Sequence, residues 1–192
     1  MRTMTRLVSC SALAAGILAT TFARSAAAQS FGQQGDFSFG VDRLMGIYFL
    51  HEDPASLTMI GLGATAPVHP YTTARFAVDG FIIDNLSLGG SFMFWNVDEK
   101  HGGNSSGALF APRVGYVLQF SDAFGFWPRA GLTYRNFDSN EELAVTLEGM
   151  FYGSPAPHFA FTFGPVLDLG VVGTGSEAVN FGLLTAGIMG WI

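Results

Sequence analysis

The stretch Leu86-Ser87-Leu88-Gly89-Gly90-Ser91-Phe92-Met93-Phe94-Trp95 decides the fold. Leu86, Leu88, Phe92 and Phe94 share one parity, while Ser87, Gly89, Ser91 and Met93 share the other. Successive side chains of a β-strand point to opposite faces, so a period of two predicts a strand with one bulky and one small face. Asp84-Asn85 just before it is a turn pair, and a second alternating run precedes that pair. There Phe76, Val78, Gly80 and Ile82 oppose Arg75, Ala77 and Asp79. Two alternating runs joined by two turn residues predict a β-hairpin.

The same rhythm continues in both directions. Phe110, Val114, Tyr116 and Leu118 alternate with Ala111, Arg113, Gly115 and Gln119. Phe124, Phe126, Ala130, Leu132 and Tyr134 alternate with Gly125, Arg129, Gly131, Thr133 and Arg135. Leu143, Val145, Leu147 and Phe151 oppose Ala144, Thr146 and Glu148, and Phe159, Phe161, Phe163, Leu167 and Leu169 oppose Ala160, Thr162, Gly164 and Asp168. A first strand near 36–50 and a last near 180–192 bring the expected number to eight. The connections at 84–85, 121–123 and 153–157 are short; those at 51–71, 97–106 and 171–178 are longer, and 138–141 is short but polar. Loop 51–71 contains the apolar run Leu57-Thr58-Met59-Ile60-Gly61-Leu62, which is expected to extend the first hairpin.

Alternation alone does not say which face is inside. The interior of an eight-stranded barrel is just wide enough to be filled by side chains. Four or five large residues from every strand would overfill it, so the bulky face is expected outside, against lipid. Composition agrees: 49% of the chain is hydrophobic and only 12% is charged. Yet residues 29–192 hold no unbroken apolar run of the ~18 residues that a spanning helix needs. In lipid, only helices and closed barrels satisfy every backbone group, which leaves the barrel. Aromatics gather toward strand ends, as in the belts of membrane interfaces. Phe37, Phe120, Phe124, Phe126, Phe151 and Phe159 are expected at one rim; Phe49, Tyr71, Phe94, Phe110, Tyr134 and Phe181 at the other.

The first residues read as an export address. Arg2 and Arg6 precede an apolar run from Leu7 to Ala23, and Ala26-Ala27-Ala28 offers the small residues of a cleavage site. That order is a secretory signal peptide over 1–28, which leaves one domain over 29–192. The single cysteine, Cys10, lies in the signal, so no disulfide is expected in the exported part.

The hairpin Ile83-Asp84-Asn85-Leu86-Ser87-Leu88-Gly89, the segment Phe126-Trp127-Pro128-Arg129-Ala130-Gly131 and the final run Thr185-Ala186-Gly187-Ile188-Met189-Gly190-Trp191-Ile192 give the chain its family likeness. It resembles the small OmpA/OmpX-like eight-stranded outer-membrane barrels. The resemblance implies an all-β, antiparallel up-and-down transmembrane barrel with short turns and both termini on the periplasmic side. It also implies that Gly187, Trp191 and Ile192 belong to the strand read by the barrel assembly machinery. Such barrels usually end in Phe or Trp, whereas here Trp191 is penultimate.

The charged residues that parity turns inward are the candidate site. They are Asp42, Asp79, Glu148 and Asp168 with Arg75, Arg113, Arg129 and Arg135, four of each sign. Guanidinium forks suit carboxylates, and charges withdrawn from water need partners. The expectation is an ion-pair network that closes the barrel, giving a structural or interaction role in the cell envelope. The alternative is a narrow channel or transporter for water, ions or a small hydrophobic ligand, which an open pocket lined by Phe81, Met93, Met150 and Tyr152 would favour. Strict alternation puts Arg43 on the lipid face with Phe37, Phe39, Val41, Met45 and Ile47; either a bulge near Asp42 turns it inward or it lies near the interface and snorkels, and alternation does not choose between them.

Other chemistry is poorly supplied. His51, His69, His101 and His158 lack ligand spacing, so neither a metal nor any cofactor is expected. Pro157-His158-Phe159-Ala160-Phe161 lacks the serine that lipid A-modifying barrels pair with histidine, and no other nucleophile stands beside a base, so the chain is not expected to be an enzyme. No basic patch suggests nucleic acid. The loops are net acidic, with Glu52, Asp53, Asp98, Glu99, Asp138, Glu141, Glu142 and Glu177 against Lys100. Divalent cations could bridge these carboxylates to lipopolysaccharide. The expected partners are outer-membrane lipids and the assembly machinery, and the expected state is a monomer.

Overall fold

The computed structural model describes residues 31–52, 55–62, 70–98, 104–137, 140–173 and 178–192. The signal peptide expected over 1–28, Cys10, His69, His101 and the loop charges Asp53, Glu99, Lys100, Asp138 and Glu177 lie outside those residues. The elements are β1 (Phe37–Glu52), β2 (Ala55–Leu62), a 3-10 turn (Pro70–Thr72), β3 (Arg75–Ile83), β4 (Leu86–Asp98), β5 (Asn104–Tyr116), β6 (Leu118–Ser121), β7 (Phe124–Phe137), β8 (Asn140–Ala156), β9 (Phe159–Gly173) and β10 (Val179–Trp191).

All pairings are antiparallel, and β10 returns to β1 from Ser38↔Trp191 to His51↔Val179, which closes the sheet. The ten segments occupy eight places in the wall. Strands β3 and β2 share one place: β3 pairs the first part of β1, from Phe37↔Gly80 to Asp42↔Arg75, and β2 pairs the second, from Met45↔Leu62 to Glu52↔Ala55. Strands β5 and β6 share another, both lying against β7 and separated at Val117. The run 55–62 does extend the first hairpin. The described chain resumes at the 3-10 turn Pro70–Thr72, which precedes β3.

Closure explains the burial pattern. β8 alternates between buried and part-exposed residues along nearly its whole length, as a strand with two different environments must. The bulky parity is outside: Phe39, Phe76, Leu88, Phe94, Phe110, Leu132 and Phe161 are all exposed. Ala77, Ser87, Ser91, Ala111, Thr133, Ala144 and Thr162, of the small parity, are buried in the lumen. Volume therefore decides orientation, as the strand sequences predict.

One end of the barrel carries the short turns at 84–85, 122–123 and 157–158 together with both described termini; we call it the turn end. Residues before β1 cross this mouth. The Asp36 carboxylate accepts hydrogen bonds from the N–H groups of Gly32 (3.2 Å) and Gln33 (2.9 Å). Gly35 N–H donates to the Phe81 carbonyl, Asn85 N–H to the Gly32 carbonyl, and the Gln119 side chain to the Phe31 carbonyl. These bonds drive the Phe31 ring into the lumen. There it meets Phe81, Trp127, Tyr152 and Trp191 at centroid distances of 5.0, 5.3, 5.1 and 5.3 Å, mostly edge to face. With Val117, Ala160 and Met189 these rings form an apolar floor.

Candidate functional site: a charged lumen above an aromatic floor

Above the floor lies a layer of buried charge built by five different strands. Arg113 on β5 grips Asp79 on β3 with both arms of its fork, Nε to Oδ1 at 2.9 Å and Nη2 to Oδ2 at 2.6 Å. Its Nη1 also donates to Asp42 on β1 and lies 3.4 Å from Glu148 on β8. Arg129 on β7 places Nε 2.7 Å from the same Glu148 oxygen and Nη1 3.6 Å from Asp42. Its guanidinium lies over the Trp127 ring, 4.7 Å from the centroid. Trp127 thus belongs to both layers: its edge meets Phe31, its face carries Arg129, and its Nε1–H donates to Ser87 at 3.1 Å. A cation over an indole face is favoured by the ring quadrupole.

The room for this layer comes from small inward residues on the neighbouring strands. A Cβ at Gly131 would lie 2.1 Å from the Pro112 carbonyl oxygen and 2.9 Å from the Arg113 Cβ. One at Gly115 would lie 2.5 Å from the Trp127 indole nitrogen. Any side chain at either place would displace the arginine or the tryptophan.

Arg43 is inside, not on the lipid face. It is 2% exposed, and its φ of 55° is left-handed, which is rare for a residue with a long side chain. Around it the register on β10 jumps from Val41↔Ile188 to Met45↔Ala186, a bulge. The two extra residues on β1 re-aim the side chain, as bulges do. Turned inward, Arg43 holds Asp168 with Nη1 to Oδ2 at 2.7 Å and Nη2 to Oδ1 at 2.9 Å, and it donates to the Tyr71 carbonyl. Asp168 also accepts from Thr146 at 2.8 Å and Asn180 at 2.7 Å.

The remaining predicted residues fall unevenly. Arg135 pairs with Glu142, and Glu142 also accepts the Tyr71 hydroxyl. The Arg135 guanidinium lies over the Tyr71 ring at 5.5 Å. Arg75 is inside but makes no ion pair among the described residues; its Nη2 lies 3.5 Å from the Tyr71 carbonyl. Arg43 and Glu142 join the eight residues expected, which makes five of each sign in the lumen; of these Arg135 is only part-buried, and Asp36 at the turn-end mouth is a further buried acid. Glu142 shares parity with Ala144, Thr146 and Glu148, a signal that its place among loop acids obscures.

Tyr71 belongs to the lumen, not to an outer aromatic belt: it is buried, because the chain between β2 and β3 tucks inward there. Nor do Phe81, Met93, Met150 and Tyr152 line one open pocket. All are buried, Phe81 and Tyr152 in the floor and Met93 against Leu109 and Ala111. Trp191 is likewise in the floor, 1% exposed, while Ile192 is 74% exposed and exchanges backbone hydrogen bonds with Phe37. Gly187 lies inward on β10, where a Cβ would meet the Val41 carbonyl oxygen at 2.5 Å.

No family model matches the chain, and no curated protein matches it. Among solved structures it is similar to Neisserial surface protein A (NspA), with a TM-score of 0.58 and 10% identity over 82% of this chain and 99% of that one. It is also similar to Ail, the attachment invasion locus protein of Yersinia pestis, with a TM-score of 0.50 and 9% identity over 83% of this chain and all of that one. Ail in complex with the heparin analogue sucrose octasulfate gives a TM-score of 0.51 at 11% identity. The chain thus has the closed, all-β, antiparallel eight-stranded fold of these outer-membrane barrels.

Proposed function

We propose that this is an outer-membrane barrel that serves the cell envelope as a scaffold and interaction protein, with its lumen shut. The observation that carries the reading is the double closure: the Arg113–Asp79–Asp42–Glu148–Arg129 layer lies directly on the Phe31 floor. Each guanidinium in that layer is tied to carboxylates on other strands, and opening a path would leave charges unpaired in a low-dielectric interior. The exposed Phe, Leu and Val side chains around the wall suit a lipid environment, and the fold likeness to NspA and Ail supports an outer-membrane location. The short turns and termini then face the periplasm. The partners of this reading are the lipids of that membrane, lipopolysaccharide at the loop end, and the machinery that assembles barrels.

The test is single-channel recording in planar bilayers. The wild-type barrel is expected to give no unitary steps. A variant lacking both closures, Phe31→Ala with Arg113→Ala and Asp79→Ala, is expected to conduct. Steps from the wild type would overturn the closed-lumen reading and favour the narrow channel.

A further inference from the structure

Among the described residues the outer wall carries a depression of definite construction. Strands β7, β8 and β9 bring Pro128, Gly149 and Pro165 to the same level, facing outward, with Ala130 beside them; together they floor a groove of about 590 Å³. Proline is normally excluded from central strands because it cannot donate to a ladder. This closed sheet places two prolines in one groove, and the register skips both the Tyr116–Pro128 and the Gly149–Pro165 positions. Two residues nearer the turn end on the same three strands stand Phe126, Phe151 and Phe163, whose rings contact in sequence at 4.8 and 5.8 Å. The wall is thus thin where its neighbours are thick.

We propose that this groove seats one acyl chain of a phospholipid from the periplasmic leaflet. This rests on the membrane placement proposed above. The lining that faces outward is apolar, so the occupant is a hydrocarbon and not a headgroup. At roughly 30 Å³ per water- or methylene-sized unit, the volume matches on the order of twenty such units, the scale of one lipid chain. Depth selects the leaflet. Pro128 is four residues from the start of β7 and Pro165 six from the start of β9. At ~3.3 Å per residue and a strand tilt of ~40°, that is roughly 10–15 Å from the turn end, within the periplasmic half of the bilayer. A chain lying there fills the space that a side chain fills elsewhere on the wall.

The experiment is native mass spectrometry of the intact barrel released from micelles doped with dioleoyl phosphatidylethanolamine. The fill-in variants are Gly149→Leu and Ala130→Leu, and the control is Val78→Leu on the bilayer-facing side of β3. A Cβ at Gly149 would make only ordinary contacts, 3.4 Å to Pro165 and 3.7 Å to Phe126, so the leucine finds room. The expected result is one retained phospholipid on wild type and on Val78→Leu, with retention about tenfold weaker in both fill-in variants. Equal, unranked lipid adducts in all four proteins would overturn the proposal, as would preferential retention of lipopolysaccharide from micelles doped with equal amounts of the two lipids. Disulfide-linked dimers from Gly149→Cys would overturn it in favour of a second copy. A protein that stays soluble without detergent would instead defeat the membrane placement itself, which is a separate readout.

Discussion

Replacing Arg113 with methionine tests whether the charged layer holds the barrel together. The guanidinium makes four contacts: two with Asp79, at 2.9 and 2.6 Å, one with Asp42, and one at 3.4 Å with Glu148. The three acids do not suffer equally when it goes. Glu148 keeps Arg129 at 2.7 Å and Arg43 at 3.7 Å, and Asp42 keeps Arg129 at 3.6 Å. Among the described residues Asp79 has no other ion-pair partner, and it is 2% exposed. Breaking a buried pair by removing one partner costs ~3–5 kcal/mol, because the other charge stays buried and unanswered. We therefore expect Arg113→Met to lose about 4 kcal/mol. Adding Asp79→Asn removes the stranded charge, and the double variant should regain at least ~2 kcal/mol of that loss, since a neutral amide is far cheaper to bury. Urea titration of the barrel in phosphatidylcholine vesicles, followed by tryptophan fluorescence, reads both values by linear extrapolation. A single variant within ~1 kcal/mol of wild type, or a double variant no better than the single, would refute the argument that Asp79 depends on Arg113.

Three further outcomes follow from the same structure. Phe31→Ala empties the centre of a four-ring box, so a loss of ~3–5 kcal/mol is expected, with a red shift of tryptophan emission as Trp127 and Trp191 meet water; unchanged emission would mean the floor closes without that ring. Arg75→Met removes a buried cation that makes no ion pair among the described residues, so stability in the same urea assay should stay within ~1 kcal/mol of wild type or rise; a loss above ~3 kcal/mol would show that Arg75 is a member of the network. Val78→Arg puts a charge on the outward face of β3 and should cost ~2–4 kcal/mol in vesicles, less if Val78 sits near an interface; a neutral effect would contradict lipid contact there.

Much of the fold is legible because closure makes every strand obey one rule. Leu88 and Phe94 must face outward and Ser87 and Ser91 inward, since a period of two admits no other assignment once one face is too large for the lumen. The inward parity of Asp79, Arg113, Arg129, Glu148 and Asp168 is readable on the same ground. Who pairs with whom is not. Asp79 and Arg113 are 34 residues apart, and only the register of β3 on β4 and β4 on β5 sets them opposite each other.

Where the rule breaks, local sequence is silent. Arg43 reverses its face through a left-handed residue and a bulge, and neither glycine nor asparagine marks the place. Its inward turn is decided by Asp168, which lies 125 residues away. Tyr71 looks like a rim aromatic and becomes a lumen residue because the Arg43 guanidinium and the Glu142 carboxylate await its carbonyl and hydroxyl. Phe31 carries no pattern at all; four rings from β3, β7, β8 and β10 make its pocket.

By itself, then, the sequence determined which strand residues face outward and which face the lumen, because alternation and side-chain volume are local quantities summed along each strand. Only the tertiary structure decided how the lumen is shut. Ion pairing, the bulge at Arg43 and the seating of Phe31 depend on groups that closure brings together from distant strands, and an unpaired charge in that interior is costly enough to bend the backbone toward its partner.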